Sequence, residues 1–133
     1  MLLEGKVIFY IEDDANNRDV VQMIVESVGA KIEFDKWGFP ELIISKIKLA
    51  HPDIILLDLM FPANISGYDV FDIIRQYPYF NHIPIVAVSA SDPAIEVPKA
   101  RARGFAGFIN KPLNIQTFNH KLSAALKGQE VWD

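Results

Sequence analysis

The sequence contains no cysteine. Disulfides, thiolate metal sites and cysteine nucleophiles are therefore excluded. It also lacks any apolar run approaching the ~20 residues that a membrane-crossing helix needs. An excess of basic charge is missing too: 13 Lys and Arg face 17 Asp and Glu, for a net charge of −4. That balance gives no support to binding nucleic acid or an anionic membrane through bulk charge. The opening residues, Met1-Leu2-Leu3-Glu4-Gly5-Lys6, are too short and too soon charged for a signal peptide. There is no internal repeat, low-complexity tract or linker, and nothing after residue 127 could form a second domain. What is left is 133 residues, 50% apolar, enough to bury a core and too apolar for disorder. The expectation is one cytoplasmic domain over 1–133, its core at about 5–127 and a fraying tail at 128–133.

The most informative stretch is Asp53-Ile54-Ile55-Leu56-Leu57-Asp58-Leu59-Met60-Phe61-Pro62. Four large apolar residues in a row, without alternation, read as a strand buried on both faces of a parallel sheet. Asp58 then stands where the chain leaves the core, in the crevice beyond the strand ends where open α/β sheets bind ligands. On this stretch alone, a turn cap and a functional carboxylate are equally good readings of it.

Four further runs are strand-like: Lys6 to Ile11, the alternating and more exposed Lys31 to Phe34, Ile83 to Val88, and Gly107 to Ile109. Helical stripes separate them. Val21, Ile24, Val25 and Val28 mark the first, with Gly29 as its stop. After a break at Trp37-Gly38-Phe39-Pro40, Ile43, Ile47 and Ala50 mark the second. Val70, Phe71 and Ile74 mark the third, ended by Tyr77-Pro78-Tyr79. The fourth follows the Asp92-Pro93 cap and is interrupted by Pro98, which suggests a late start or a kink. Ile115, Phe118, Leu122, Ala125 and Leu126 mark the fifth. Five alternations imply right-handed βαβ crossovers. The fold class is α/β: a flavodoxin-like (βα)5 three-layer sandwich whose parallel five-stranded sheet has the order 2-1-3-4-5.

In that order the first and third strands are neighbours, so Glu12, Asp13 and Asp14 lie close to Asp58. Clustered carboxylates repel, and a divalent oxygen-loving cation removes the cost. Ser89 ends the fourth strand and Lys111 the fifth, adding a hydroxyl and an ammonium. Taken singly, each of these residues is more simply a loop charge, a turn hydroxyl or a surface lysine. Together, at the carboxyl ends of one sheet, they suit a phosphoryl group, with one carboxylate free to act as nucleophile.

Tyr10-Ile11-Glu12-Asp13-Asp14, Leu56-Leu57-Asp58-Leu59-Met60-Phe61-Pro62, Val88-Ser89-Ala90 and Phe108-Ile109-Asn110-Lys111-Pro112 occur in this order, at spacings that resemble the receiver domain of two-component response regulators. The resemblance covers nearly the whole chain and implies a stand-alone, CheY-like receiver. In that case Asp58 is the phospho-acceptor. Asp13 binds Mg²⁺ directly, with Mn²⁺ as a substitute, Glu12 acts through a water, and Met60 supplies a backbone carbonyl. Asp14 falls just outside the site. Ser89 and Lys111 hold phosphoryl oxygens, and the Lys111–Pro112 bond is cis. Phe108 is the aromatic switch, its ring moving inward as Ser89 turns toward the phosphate. The implied partners are a sensor histidine kinase or histidine phosphotransfer protein and an unknown downstream protein. That protein would be met through the face of the fourth helix, fifth strand and fifth helix. Neither nucleic acid nor membrane is an implied partner, and the molecule would be a monomer or a phosphorylation-linked dimer. It would catalyse only its own phosphorylation and dephosphorylation.

Two features depart from the family pattern. Asp58 to Gly67 is one residue longer than the commonest receiver spacing, the extra residue lying in Ala63-Asn64-Ile65-Ser66, and Pro98 sits in the fourth helix. Other functions on this sheet fit less well. A pseudo-receiver would not need Glu12, Asp13, Asp58, Ser89 and Lys111 intact. An aspartyl hydrolase would need a cap insertion. A flavin binder would need Ser, Thr or Gly donors after the first strand, where this chain is acidic.

Overall fold

The computed structural model describes residues 1–36 and 39–132. Strands β1 (Val7–Ile11), β2 (Lys31–Asp35), β3 (Ile54–Leu57), β4 (Ile85–Ser89) and β5 (Gly107–Asn110) form one parallel sheet in the order β2-β1-β3-β4-β5. Helices α1 (Ala15–Glu26), α2 (Pro40–Ala50), α3 (Gly67–Arg75), α4 (Pro93–Arg103) and α5 (Ile115–Leu126) connect them. This is the topology expected from the alternating pattern.

The unalternating apolar runs are explained by the layers on both faces. Phe9, Ile11, Ile55, Leu57, Ile85, Ala87 and Phe108 pack with α2, α3 and Ala100 of α4. Ile8, Tyr10, Ile54, Leu56, Val86, Val88 and Ile109 pack with α1 and α5. Because successive strand residues point to opposite faces, both sets must be apolar. Each large side chain so buried contributes on the order of 1.5–3 kcal/mol. β2, at the edge, keeps its polar alternation.

Helix starts fall at the same sheet edge as the strand carboxyl ends. Asp14, Ser66, Asp92 and Asn114 each cap a helix by accepting a backbone N–H. Asp14 is thereby occupied as the α1 cap, accepting from the Asn17 amide at 2.9 Å. Pro40 takes the first position of α2. The break expected at Trp37 and Gly38 lies outside the described residues.

Two expectations are corrected. Pro98 does not delay α4, which runs unbroken from its Asp92 cap to Gly104. The missing Pro98 N–H would have served the carbonyl of Ala94, and Ala94 is exposed, so water can serve it instead. Nor does the segment after α5 fray. Val131 is 6% exposed and forms a parallel bridge with Gly107. Burial of Val131 against α5, with backbone bonds on β5, fixes it. At the other end Leu3, 1% exposed, also joins the core, so the packed unit extends past 5–127 on both sides. Among the described residues no helix is long and apolar enough to cross a membrane.

Candidate functional site

β1 and β3 are hydrogen-bonded neighbours, with Ile11 opposite Leu57. The next residues on each, Glu12 and Asp58, therefore emerge side by side. Glu12 is fully buried and Asp58 is 8% exposed. Glu12, the more open Asp13 and Asp58 each offer an oxygen, and these atoms lie within 4.8 Å of one another. Lys111, arriving from the end of β5, inserts its ammonium between the carboxylates. It lies 2.5 Å from Glu12 Oε1 and 3.5 Å from Asp58 Oδ2.

The lysine is thus committed mainly to Glu12, and the electrostatics follow from this. Burial, the largest single effect, would raise the Glu12 carboxyl, but the hydrogen bonds it shares with Lys111, Asp58 and Tyr10, together with the Lys111 charge, outweigh it and hold the group below its usual range. Asp58 is left short of countercharge. Burial first, then the Glu12 carboxylate, push it up to about 7 against the weaker pull of Lys111. Burial and the same neighbour raise Asp13. One ammonium cannot balance three carboxylates, and the hindered ionisation of Asp58 records the deficit. An all-oxygen set of this kind suits Mg²⁺, which is held by few carboxylates and keeps waters. The residues present fit such an ion.

The loop after Asp58 is held from several sides. Asp58 Oδ1 accepts the Leu59 amide at 2.7 Å and lies 3.4 Å from that of Met60. Met60 bridges to Ser66 across the loop. Between them Ala63 and Asn64 both adopt positive φ, 61° and 60°, and the Phe61 amide donates to the Ile65 carbonyl. This is the pattern of a two-residue hairpin turn, which returns the chain beside its own entry. Gly67 then passes so close behind Asp58 that a Cβ would lie 2.1 Å from the Asp58 carbonyl oxygen. Only glycine fits there.

Across the cleft, Ser89 is 1% exposed and its Oγ accepts the Ser91 amide at 3.1 Å. Asp58, Met60, Ser89, Ala90, Ser91 and Lys111 line a shallow depression of about 300 Å³. The Met60 side chain, 69% exposed, lies at its rim with Sδ 3.4 Å from Ser91 Oγ. The Lys111–Pro112 bond is cis. Phe108 is fully buried, in the layer it shares with Ala100, Phe105 and Trp132.

Sequence reasoning brought out the charged groups but missed the residues that hold them. Tyr10 donates its hydroxyl to Glu12 at 2.9 Å from the same strand face, a signal that i, i+2 alternation could have supplied. Asn17 donates to Glu12 Oε1 and Arg18 to the Glu12 carbonyl, one helical turn on from the Asp14 cap. Asn110 donates its side-chain amide to the carbonyls of Ser89 and Ser91, tying β5 to the loop after β4.

Residues 8–123 match the family described as the response regulator receiver domain. The polar-differentiation response regulator DivK of Brucella ovis is 26% identical over 121 residues, spanning 91% of this chain and 96% of that protein. Protein PilG of Pseudomonas aeruginosa is 27% identical over 111 residues, 84% of this chain and 80% of that protein. The chemotaxis response regulator CheY4 of Vibrio cholerae superposes with a TM-score of 0.79 at 20% identity. It covers 90% of this chain and 98% of that one, a likeness of fold.

Proposed function

The chain belongs to the response regulator receiver domain family of two-component signalling, and from that premise we propose that Asp58 accepts a phosphoryl group from a phosphohistidine. Receiver domains are signalling proteins and not metabolic enzymes, so the consequence of the transfer is a change in protein contacts. The observation that carries the proposal is the placement of Asp58. It is a nearly buried carboxylate at the topological switch point, short of countercharge, facing a depression that a serine and a lysine share.

Each residue has a part in the transfer. An oxygen of Asp58 forms the bond to phosphorus as the bond from phosphorus to the histidine nitrogen breaks. The imidazole leaves with that electron pair. Ser89 donates its hydroxyl to one phosphoryl oxygen. Lys111 exchanges part of its contact with Glu12 for another, since a phosphoryl group brings more negative charge than a single carboxylate. Glu12, Asp13 and Asp58, with the Met60 carbonyl, would hold Mg²⁺, whose charge offsets the negative charge gathered there. Phe108 and the face formed by α4, β5 and α5 carry the change to a downstream protein. The donor is a sensor histidine kinase or phosphotransfer protein, and the receiver unit runs from Leu3 to Trp132.

Acetyl phosphate with Mg²⁺ tests this directly. The wild-type chain gains the mass of one phosphoryl group, and Asp58→Asn gains none. Equal gain by the variant would assign the acceptor elsewhere.

A further inference from the structure

The segment that follows α5 does not leave the molecule but turns onto the edge of β5. The Phe108 amide donates to the Val131 carbonyl at 2.7 Å, and the Val131 amide to the Ala106 carbonyl at 3.2 Å. Val131 is buried with the α1 and α5 layer, whereas Trp132 packs against the opposite layer, beneath the Arg101 guanidinium of α4 at 4.7 Å. Backbone pairing with side chains to alternate faces is the behaviour of a sixth strand. β5 is built to receive it: a Cβ on Gly107 would lie 2.2 Å from the Val131 carbonyl oxygen. Such an edge is otherwise a ready template for another chain.

We propose that the edge of β5 is a docking surface for an extended segment, occupied by the chain's own Glu130–Trp132 as a strap that opposes the phosphorylation-driven change of the α4, β5 and α5 face. The inference rests on the reading of Asp58 and Phe108 given above. The strap bonds the backbone of Phe108 itself, three residues before Lys111. It fits β5 as β5 now lies, so any movement of β5 toward a phosphorylated Asp58 is made against these contacts. By linkage, what phosphorylation does to the strap the strap does in return to phosphorylation. The strap is also held less firmly than its apolar burial suggests. Trp132 Nε1 is buried without a hydrogen-bond partner, a desolvation that undocking would relieve.

The chain has two tryptophans, so Trp37→Phe leaves Trp132 as sole reporter. In that background acetyl phosphate and Mg²⁺ are added while intact mass and emission are followed together. The expected result is a red shift of Trp132 emission, and greater iodide quenching, as the phosphoryl mass appears. Trp132→Ala, with native-like circular dichroism, should bind beryllofluoride, a phosphoryl mimic, with Mg²⁺ more tightly than the wild-type chain, on the order of fivefold in Kd. Phosphoryl uptake with emission unchanged, and Trp132→Ala binding beryllofluoride no more tightly than the wild-type chain, would overturn the strap while leaving the Asp58 reading intact. Absence of uptake would overturn the Asp58 reading instead. Docking itself is then read by Gly107→Ala in the Trp37→Phe background. Its emission should be red-shifted with no phosphodonor present, and an unshifted spectrum counts against the strap.

Discussion

As the proposed acceptor, Asp58 meets two demands that pull in opposite directions: a nucleophile must be ionised, yet its place is buried and beside Glu12. Its carboxyl is raised to about 7, whereas an unfolded aspartate titrates near ~4. The folded chain therefore holds a proton that the unfolded chain gives up between about pH 4 and 7. Stability falls as pH rises through that window and stays reduced above it. The amide of the Asp58→Asn variant carries no such charge. In chelator, urea midpoints should show Asp58→Asn close to wild type at low pH. It should become more stable by on the order of 2–4 kcal/mol above pH 7. A constant difference across pH would show that burial does not perturb Asp58. Saturating Mg²⁺ should narrow the gap, because the cation binds more tightly to the chain whose residue 58 can ionise. That Glu12, Asp13, Asp58, Ser89 and Lys111 would gather at one place was legible because α/β topology collects strand ends. Asn17, Arg18 and Asn110 were not, because such a residue shows no role until its neighbour is known.

At the scale of elements, strands and helices were readable from periodicity, and the surprises lie in the connections. The hairpin after β3 places Ala63 at φ 61°, where an L-residue with a Cβ is disfavoured by roughly 1–2 kcal/mol. Glycine relieves that strain but adds unfolded-chain freedom worth about 0.4–1 kcal/mol. Relief is the larger effect, so Ala63→Gly should raise stability by up to about 1 kcal/mol, read as a higher urea midpoint at unchanged slope. A lower midpoint would mean the turn does not hold Ala63 in that conformation. The extra length expected in 63–66 gave no hint of this turn, since Ala and Ile are not turn residues. α4 teaches the opposite lesson. Pro98 looked like a breaker, but a proline costs least where the carbonyl it abandons faces water.

For the whole molecule, the least anticipated contact joins residues far apart in the chain: Val131 against Gly107 at the edge of the sheet. A fraying tail would tolerate any change at Val131. A packed strap would not, and Val131→Ala should cost about 2 kcal/mol from two lost methyl groups and the space they leave. An equilibrium denaturation curve indistinguishable from wild type would contradict the packing. The signal was present but faint, because one valine and one tryptophan among polar neighbours have no period.

The sequence by itself determined the α/β class, the strand order and the residues at the strand ends. These depend on local apolar runs and on the few ways parallel strands can be connected. Only the tertiary structure decided how the site's charge is divided. That Lys111 sits nearer Glu12 than Asp58, leaving Asp58 undercompensated, is a matter of ångströms between separate strands. Coulomb energy in a buried site depends on those distances and on the exclusion of water, neither of which a linear order of residues contains.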